Sequence, residues 1–106
     1  MILPPPLQRY FDANAALDLD AMAAPFAETA IVQDESRVHE GKDAIRAWIQ
    51  QASIAASAIA APKAILSDAQ THEVTAEVSG AFPGSPIMLT FGFVLDGPRI
   101  VKLEIA

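Results

Sequence analysis

The sequence predicts an α+β domain in which helices cover one face of a mostly antiparallel sheet. Two patterns carry that expectation. Apolar residues recur at helical spacing through most of the first half of the 106-residue chain, and alternate with period two through most of the second. Neither a repeat nor a linker interrupts this order, so residues 1–106 read as a single domain.

The elements follow in order. After Pro4, Pro5 and Pro6, the residues Leu7, Tyr10, Phe11, Asn14 and Leu17 fall at helical spacing, and proline is tolerated in a first helical turn. A second helical piece is expected from about Asp18 to Ala27, with Leu19, Met22 and Phe26 on one side. Asp18 or Asp20 can cap its start, and Pro25 makes it short or kinked. Ala30 to Asp34 reads as a strand that ends in charge, and Arg37 to Glu40 as its return. Gly41 then opens a strong helix, with Ile45, Trp48, Ile49 and Ala52 at i, i+3, i+4 and i+7 and Asp43 in its first turn. Beyond Pro62, Ala64 to Leu66 and Glu73 to Ser79 are expected strands, and 81–86 is a turn by composition. Ile87 to Leu95 alternates cleanly, Asp96-Gly97 marks a hairpin turn, and Arg99 to Ile105 returns.

Composition removes several classes of function. The chain is 52% hydrophobic, enough for one core, and needs no metal or disulfide to fold at this size. Without cysteine there is no disulfide, thiolate metal site or thiol nucleophile, and two histidines leave little for a metal centre. Nothing calls for a cofactor. A net charge of -6 without a basic stripe repels phosphate backbones, so nucleic-acid binding is not expected. No apolar run is long enough for a membrane span, and the N-terminus lacks the basic start of a signal peptide. A cytoplasmic protein is the simplest expectation.

The stretches Arg9-Tyr10-Phe11, Leu17 to Met22, Phe26 to Asp34 and Glu40 to Ile45 together resemble the SnoaL-like branch of the NTF2-like superfamily, which includes ketosteroid isomerases and polyketide cyclases. The resemblance covers nearly the whole chain. It implies a conical, strongly curved sheet around a hydrophobic pocket closed by the N-terminal helices. For activity it is less specific, because one fold hosts enzymes, binding modules and assembly domains.

By the same resemblance, Tyr10 stands where ketosteroid isomerases carry their oxyanion tyrosine, and Asp34 where they carry the proton-shuttling aspartate. Moving a proton α to a carbonyl needs a carboxylate base and a donor for the enolate oxygen that develops. The second, protonated aspartate of those enzymes has no counterpart, since the corresponding strand reads Met88-Leu89-Thr90-Phe91-Gly92. Thr90 or Phe91 takes that place, depending on how the strands are matched. Asn14, Phe26, His39, Trp48, Met88, Thr90 and Phe91 are the further candidates for ligand contact, in a cavity walled by Tyr10, Asp34 and Trp48.

Plainer roles stand beside these. Tyr10 and Trp48 fit a packed core, Asp34 a turn, His39 an exposed strand and Asn14 a helix end. The expected function is therefore a small-molecule pocket protein for an apolar carbonyl compound, acting as an isomerase, cyclase or dehydratase. The alternative is a non-catalytic module for ligand binding or dimerisation. A homodimer is expected in either case, because the Ile87–Leu95 strand is poor in charge on both faces and helices cover only one.

Overall fold

A computed structural model describes all residues, 1–106. The chain runs through helices α1 (Pro5–Ala15) and α2 (Leu19–Ala23), strands β1 (Phe26–Asp34) and β2 (Arg37–Glu40), and helix α3 (Lys42–Ile49). Four strands follow: β3 (Ile59–Asp68), β4 (Thr71–Ser79), β5 (Ile87–Asp96) and β6 (Arg99–Ile105). All six strands form one sheet in the order β2-β1-β6-β5-β4-β3. Only the β1–β6 pairing is parallel. This is the expected α+β architecture, with the helices on the concave face. Register breaks in β1 between Phe26 and Ile31, in β3 between Pro62 and Ala64, and at Val94/Leu95 in β5 bend the strands into that concavity. No helix is long and apolar enough to cross a membrane.

Local chemistry explains where the elements start and stop. Pro5 and Pro6 occupy the first turn of α1, where backbone N–H groups have no helical partner to lose. Asp18 caps α2 by accepting from the Ala21 amide at 3.1 Å. That helix is shorter than the spacing of Leu19, Met22 and Phe26 suggests. It ends at Ala23, because Pro25 cannot continue it, and Phe26 already begins β1. The Pro25 carbonyl accepts from the Ile100 amide at 2.9 Å, which ties this corner to β6.

Helix α3 buries Ile45, Trp48 and Ile49 as its spacing predicts, but then widens into a π-helical turn over Gln50–Ile54. The wider turn rotates the following residues, so Ser53 is buried where the helical stripe placed Ala52. Strand β3 is much longer than Ala64 to Leu66. It runs through Pro62, which an edge strand tolerates because one side of its backbone has no partner.

The core lies between α1 and the sheet, and aromatic rings fill it. Tyr10 packs edge-on against Phe11, Phe26 and Phe93 with ring centroids 5.2, 5.8 and 5.7 Å away. Phe11 in turn meets Phe91 at 5.5 Å. Edge-to-face pairs of this kind add about 0.5–1.5 kcal/mol each beyond the area they bury.

Asn14 does not face a ligand space, as the sequence had led us to expect. Its side-chain Nδ2 donates to the Ala58 carbonyl at 2.9 Å, and its Oδ1 accepts from the Ala60 amide at 2.7 Å. The residue is 2% exposed and clasps α1 to the start of β3. A short polar side chain can mimic a strand's own donor and acceptor, which the spacing of apolar residues cannot reveal. Asn14→Ala would leave a buried carbonyl and amide unpaired, at about 1–3 kcal/mol each. We expect urea denaturation to show a loss of about 2–4 kcal/mol for this variant. A loss below about 0.5 kcal/mol would mean that the clasp is not formed in solution.

Candidate functional site

Asp34 owes its place to a two-residue hairpin. Glu35 and Ser36 both adopt left-handed backbone, with φ of 53° and 63°, which gives the turn a twist matching the strands it joins. The turn sets Asp34 opposite Arg37, and Val32 opposite His39. Side chains two apart share a face, so Val32, Asp34 and His39 all belong to the concave side. Asp34 and His39 are half-buried there.

Helix α3 brings Trp48 onto the same spot. Its indole Nε1–H donates to Asp34 Oδ2 at 3.0 Å, while the ring is only 5% exposed. The His39 ring lies beside the indole, with centroids 6.2 Å apart and planes tilted by 35°. One carboxylate oxygen is thus held by a fixed donor, and no other side-chain hydrogen bond engages the carboxylate. The sequence allows Trp48 either ligand contact or packing. Its N–H was not foreseen as Asp34's partner, because helical spacing says which face is buried and not which strand residue lies beneath it.

Tyr10 lies on α1, packed into the core. The ring is 2% exposed, and no side-chain hydrogen bond engages its hydroxyl. Its acidity is strongly reduced, well above the usual phenol range. Burial is the larger cause and the negative charge of Asp34 the second. A neutral O–H under these conditions is a hydrogen-bond donor at any ordinary pH.

The remaining candidates divide by face. Phe91 lies on the concave side, packed against Phe11 and stacked near Phe93. The pairing Gln33 with Glu104 on parallel strands sets Ile105 beside Asp34, and Ile105 pairs with Phe91. Of the two residues that compete for the second acid's place, Phe91 is thus the one on the same face as Asp34, and it has no proton to give. Met88 and Thr90 point to the convex side, with Met88 51% exposed, so neither lines a space shared with Tyr10. Phe26 is fully buried under the Tyr10 ring and acts as core.

The expected apolar cavity between helices and sheet is also not found among the main hollows. One, of about 180 Å³, lies at the β3–β4 turn and is lined by Leu66, Ser67, Asp68, Thr71 and Glu73. The other, of about 290 Å³, lies between Arg9, Ala24, Pro25, Pro98 and Arg99. Neither contains Tyr10, Asp34 or Trp48. The rings of Tyr10, Phe11, Phe26, Phe91 and Phe93 occupy the interior instead, and Asp34, His39 and Trp48 gather at the rim where β1, β2 and α3 meet.

Comparison with known proteins adds to this geometry. The SnoaL-like domain matches residues 7–102 of the chain. A candidate polyketide cyclase from Sinorhizobium meliloti is 43% identical, with a TM-score of 0.93 over 98% of this chain and 95% of that one. A protein from Sphaerobacter thermophilus is 25% identical, with a TM-score of 0.80 over 95% and 91%. A Catenulispora acidiphila protein with a ketosteroid isomerase-like fold, solved with trimethylamine, is 14% identical and has a TM-score of 0.85 over 99% and 86%; it attests to the fold alone. No protein of curated function matches in sequence.

Tyr10 is the sole tyrosine, so ultraviolet absorbance near the phenolate band reads it alone. We expect no phenolate to form as the pH rises through 10.0, the ordinary value, while the chain stays folded. The sign for stability follows. Above the ordinary value the unfolded chain releases this proton and the folded chain keeps it, so stability falls with rising pH from there on. Phenolate appearing near the ordinary value in the folded protein would place the hydroxyl in water.

Proposed function

Because the chain belongs to the SnoaL-like domain family, we propose that it is an acid/base enzyme for an apolar carbonyl compound, with Asp34 as the base. The observation that carries the proposal is the Trp48 Nε1–H bond to Asp34 Oδ2, which fixes the carboxylate and leaves Oδ1 to meet a substrate. Asp34 Oδ1 takes the proton from a carbon α to the carbonyl. The electron pair of that C–H bond passes to the carbonyl oxygen, and the Tyr10 hydroxyl donates a hydrogen bond to the enolate that forms. The proton then returns from Asp34 at a different carbon; or the enolate carbon attacks a second carbonyl to close a ring, the C=O π pair of that carbonyl passing to its oxygen, which takes the proton from Asp34.

The description of the Sinorhizobium meliloti relative as a candidate polyketide cyclase supports the second course. Chains with several carbonyls carry acidic α-hydrogens and need only modest help to enolise. That suits a site with one donor, since Phe91 supplies no second acid. Steroid enones, which rely on two donors, fit it poorly. The filled interior favours a second reading, in which the chain binds an apolar molecule at the Asp34 rim without turning it over.

Pairing of two copies through the convex face of the sheet belongs to the same proposal. Met88, Thr90, Gly92 and Val94 of β5 point outward there, with Leu66 of β3 74% exposed on the same side. Sedimentation at micromolar concentration is expected to give a dimer. A clean monomer would reject pairing.

Activity is tested with a panel of small β-dicarbonyl and poly-β-carbonyl compounds, followed by absorbance. Asp34→Asn keeps an acceptor for Trp48 but cannot take a proton, so turnover is expected to vanish with the fold intact. Tyr10→Phe removes one oxyanion donor, about 2–4 kcal/mol in the barrier, and is expected to leave slow turnover. Turnover of any of these compounds undiminished in Asp34→Asn would place the base elsewhere, with His39 next in line. Saturable binding without turnover by the native chain would favour the second reading.

A further inference from the structure

The hollow between Arg9, Ala24, Pro25, Pro98 and Arg99 lies apart from the Asp34 site, at the corner where the Pro25 carbonyl meets the Ile100 amide. Two of the chain's seven basic residues converge on it. Neither has an ionic partner. The one ion pair in the molecule joins Arg46 to Asp20 at 2.6 Å, so no carboxylate oxygen lies within 4.0 Å of the Arg9 or Arg99 guanidinium. The acidic groups that might have neutralised them are turned elsewhere or held off. Asp12, one turn after Arg9 on α1, accepts from Gln8 Nε2 at 2.9 Å. Asp96 is Arg99's cross-strand partner in register but makes no ion pair with it.

Backbone chemistry sets the two arginines at one corner of the fold. Arg99 leaves a tight turn in which Gly97, at φ +57°, is followed by Pro98, whose ring locks the backbone. Arg9 sits on a helix anchored by the buried Leu7, Tyr10 and Phe11. The prolines and Ala24 give a floor with few competing polar groups. In a chain of net charge -6, this hollow is lined by two arginines that make no ion pair.

We propose that this hollow is a binding site for a small phosphate-type anion, free or as the terminal group of a small metabolite. Planar guanidinium forks match tetrahedral oxyanions two oxygens at a time, and two of them on one hollow can hold a doubly charged ligand. The volume of about 290 Å³ leaves room for more than a bare phosphate beside them. The site is independent of Asp34 and of whatever that residue does.

The test titrates the native chain with inorganic phosphate, and separately with phenyl phosphate, at constant ionic strength set by chloride, followed by amide NMR. Saturable shifts are expected at Ala24, Arg99 and Ile100. Arg9→Ala and Arg99→Ala are each expected to weaken binding by about tenfold or more, as loss of a charge-assisted contact does. Both side chains are exposed, so melting temperatures should not change. Tighter binding of phenyl phosphate than of phosphate would assign the site to an organic ester, and equal binding to the free anion. Shifts that do not saturate, or that persist unchanged in both variants, would overturn the proposal.

Discussion

The ring of Tyr10 is the contact on which the rest of the molecule turns. It joins α1 to the sheet through three edge-on aromatic neighbours, and it carries a polar hydroxyl into a nearly closed interior. Burying that group without a protein acceptor costs free energy, and the packing of Phe11, Phe26 and Phe93 around the ring offsets the cost. The hydroxyl ends within the field of Asp34.

The site's second support is Trp48. Its indole is gripped between α3 and the sheet, so the N–H it offers to Asp34 is fixed before any ligand arrives. The filled interior sets the limits. With Phe91 in place of a second acid, the proposed reaction would have one base and one donor to draw on, and its substrate would approach from the rim.

Much of the fold was legible in the sequence. The alternation from Ile87 to Leu95, the Asp18 cap and the apolar stripe of α3 each dictate a local structure that nothing in the tertiary packing opposes. Legibility failed where a long-range partner decided the outcome. Phe26 has helical spacing with Met22, yet it pairs with Ile100 in β1 because Pro25 releases it from the helix. Pro62 looks like the end of a strand and lies inside one, since only the assembled sheet reveals that β3 is an edge. The same holds at the site. Tyr10 and Asp34 could be singled out by resemblance, whereas Asn14's clasp, Trp48's bond and the outward turn of Met88 and Thr90 depend on register across the sheet.

Trp48 is the chain's one tryptophan, so its indole N–H gives a single peak in an ¹H–¹⁵N spectrum. That peak reports directly on whether the indole N–H is held by Asp34. Asp34→Ala removes the acceptor, so the peak is expected to move upfield and its hydrogen to exchange faster with solvent, while the rest of the spectrum stays folded. An indole peak with the same position and exchange rate in Asp34→Ala would contradict the account at its centre.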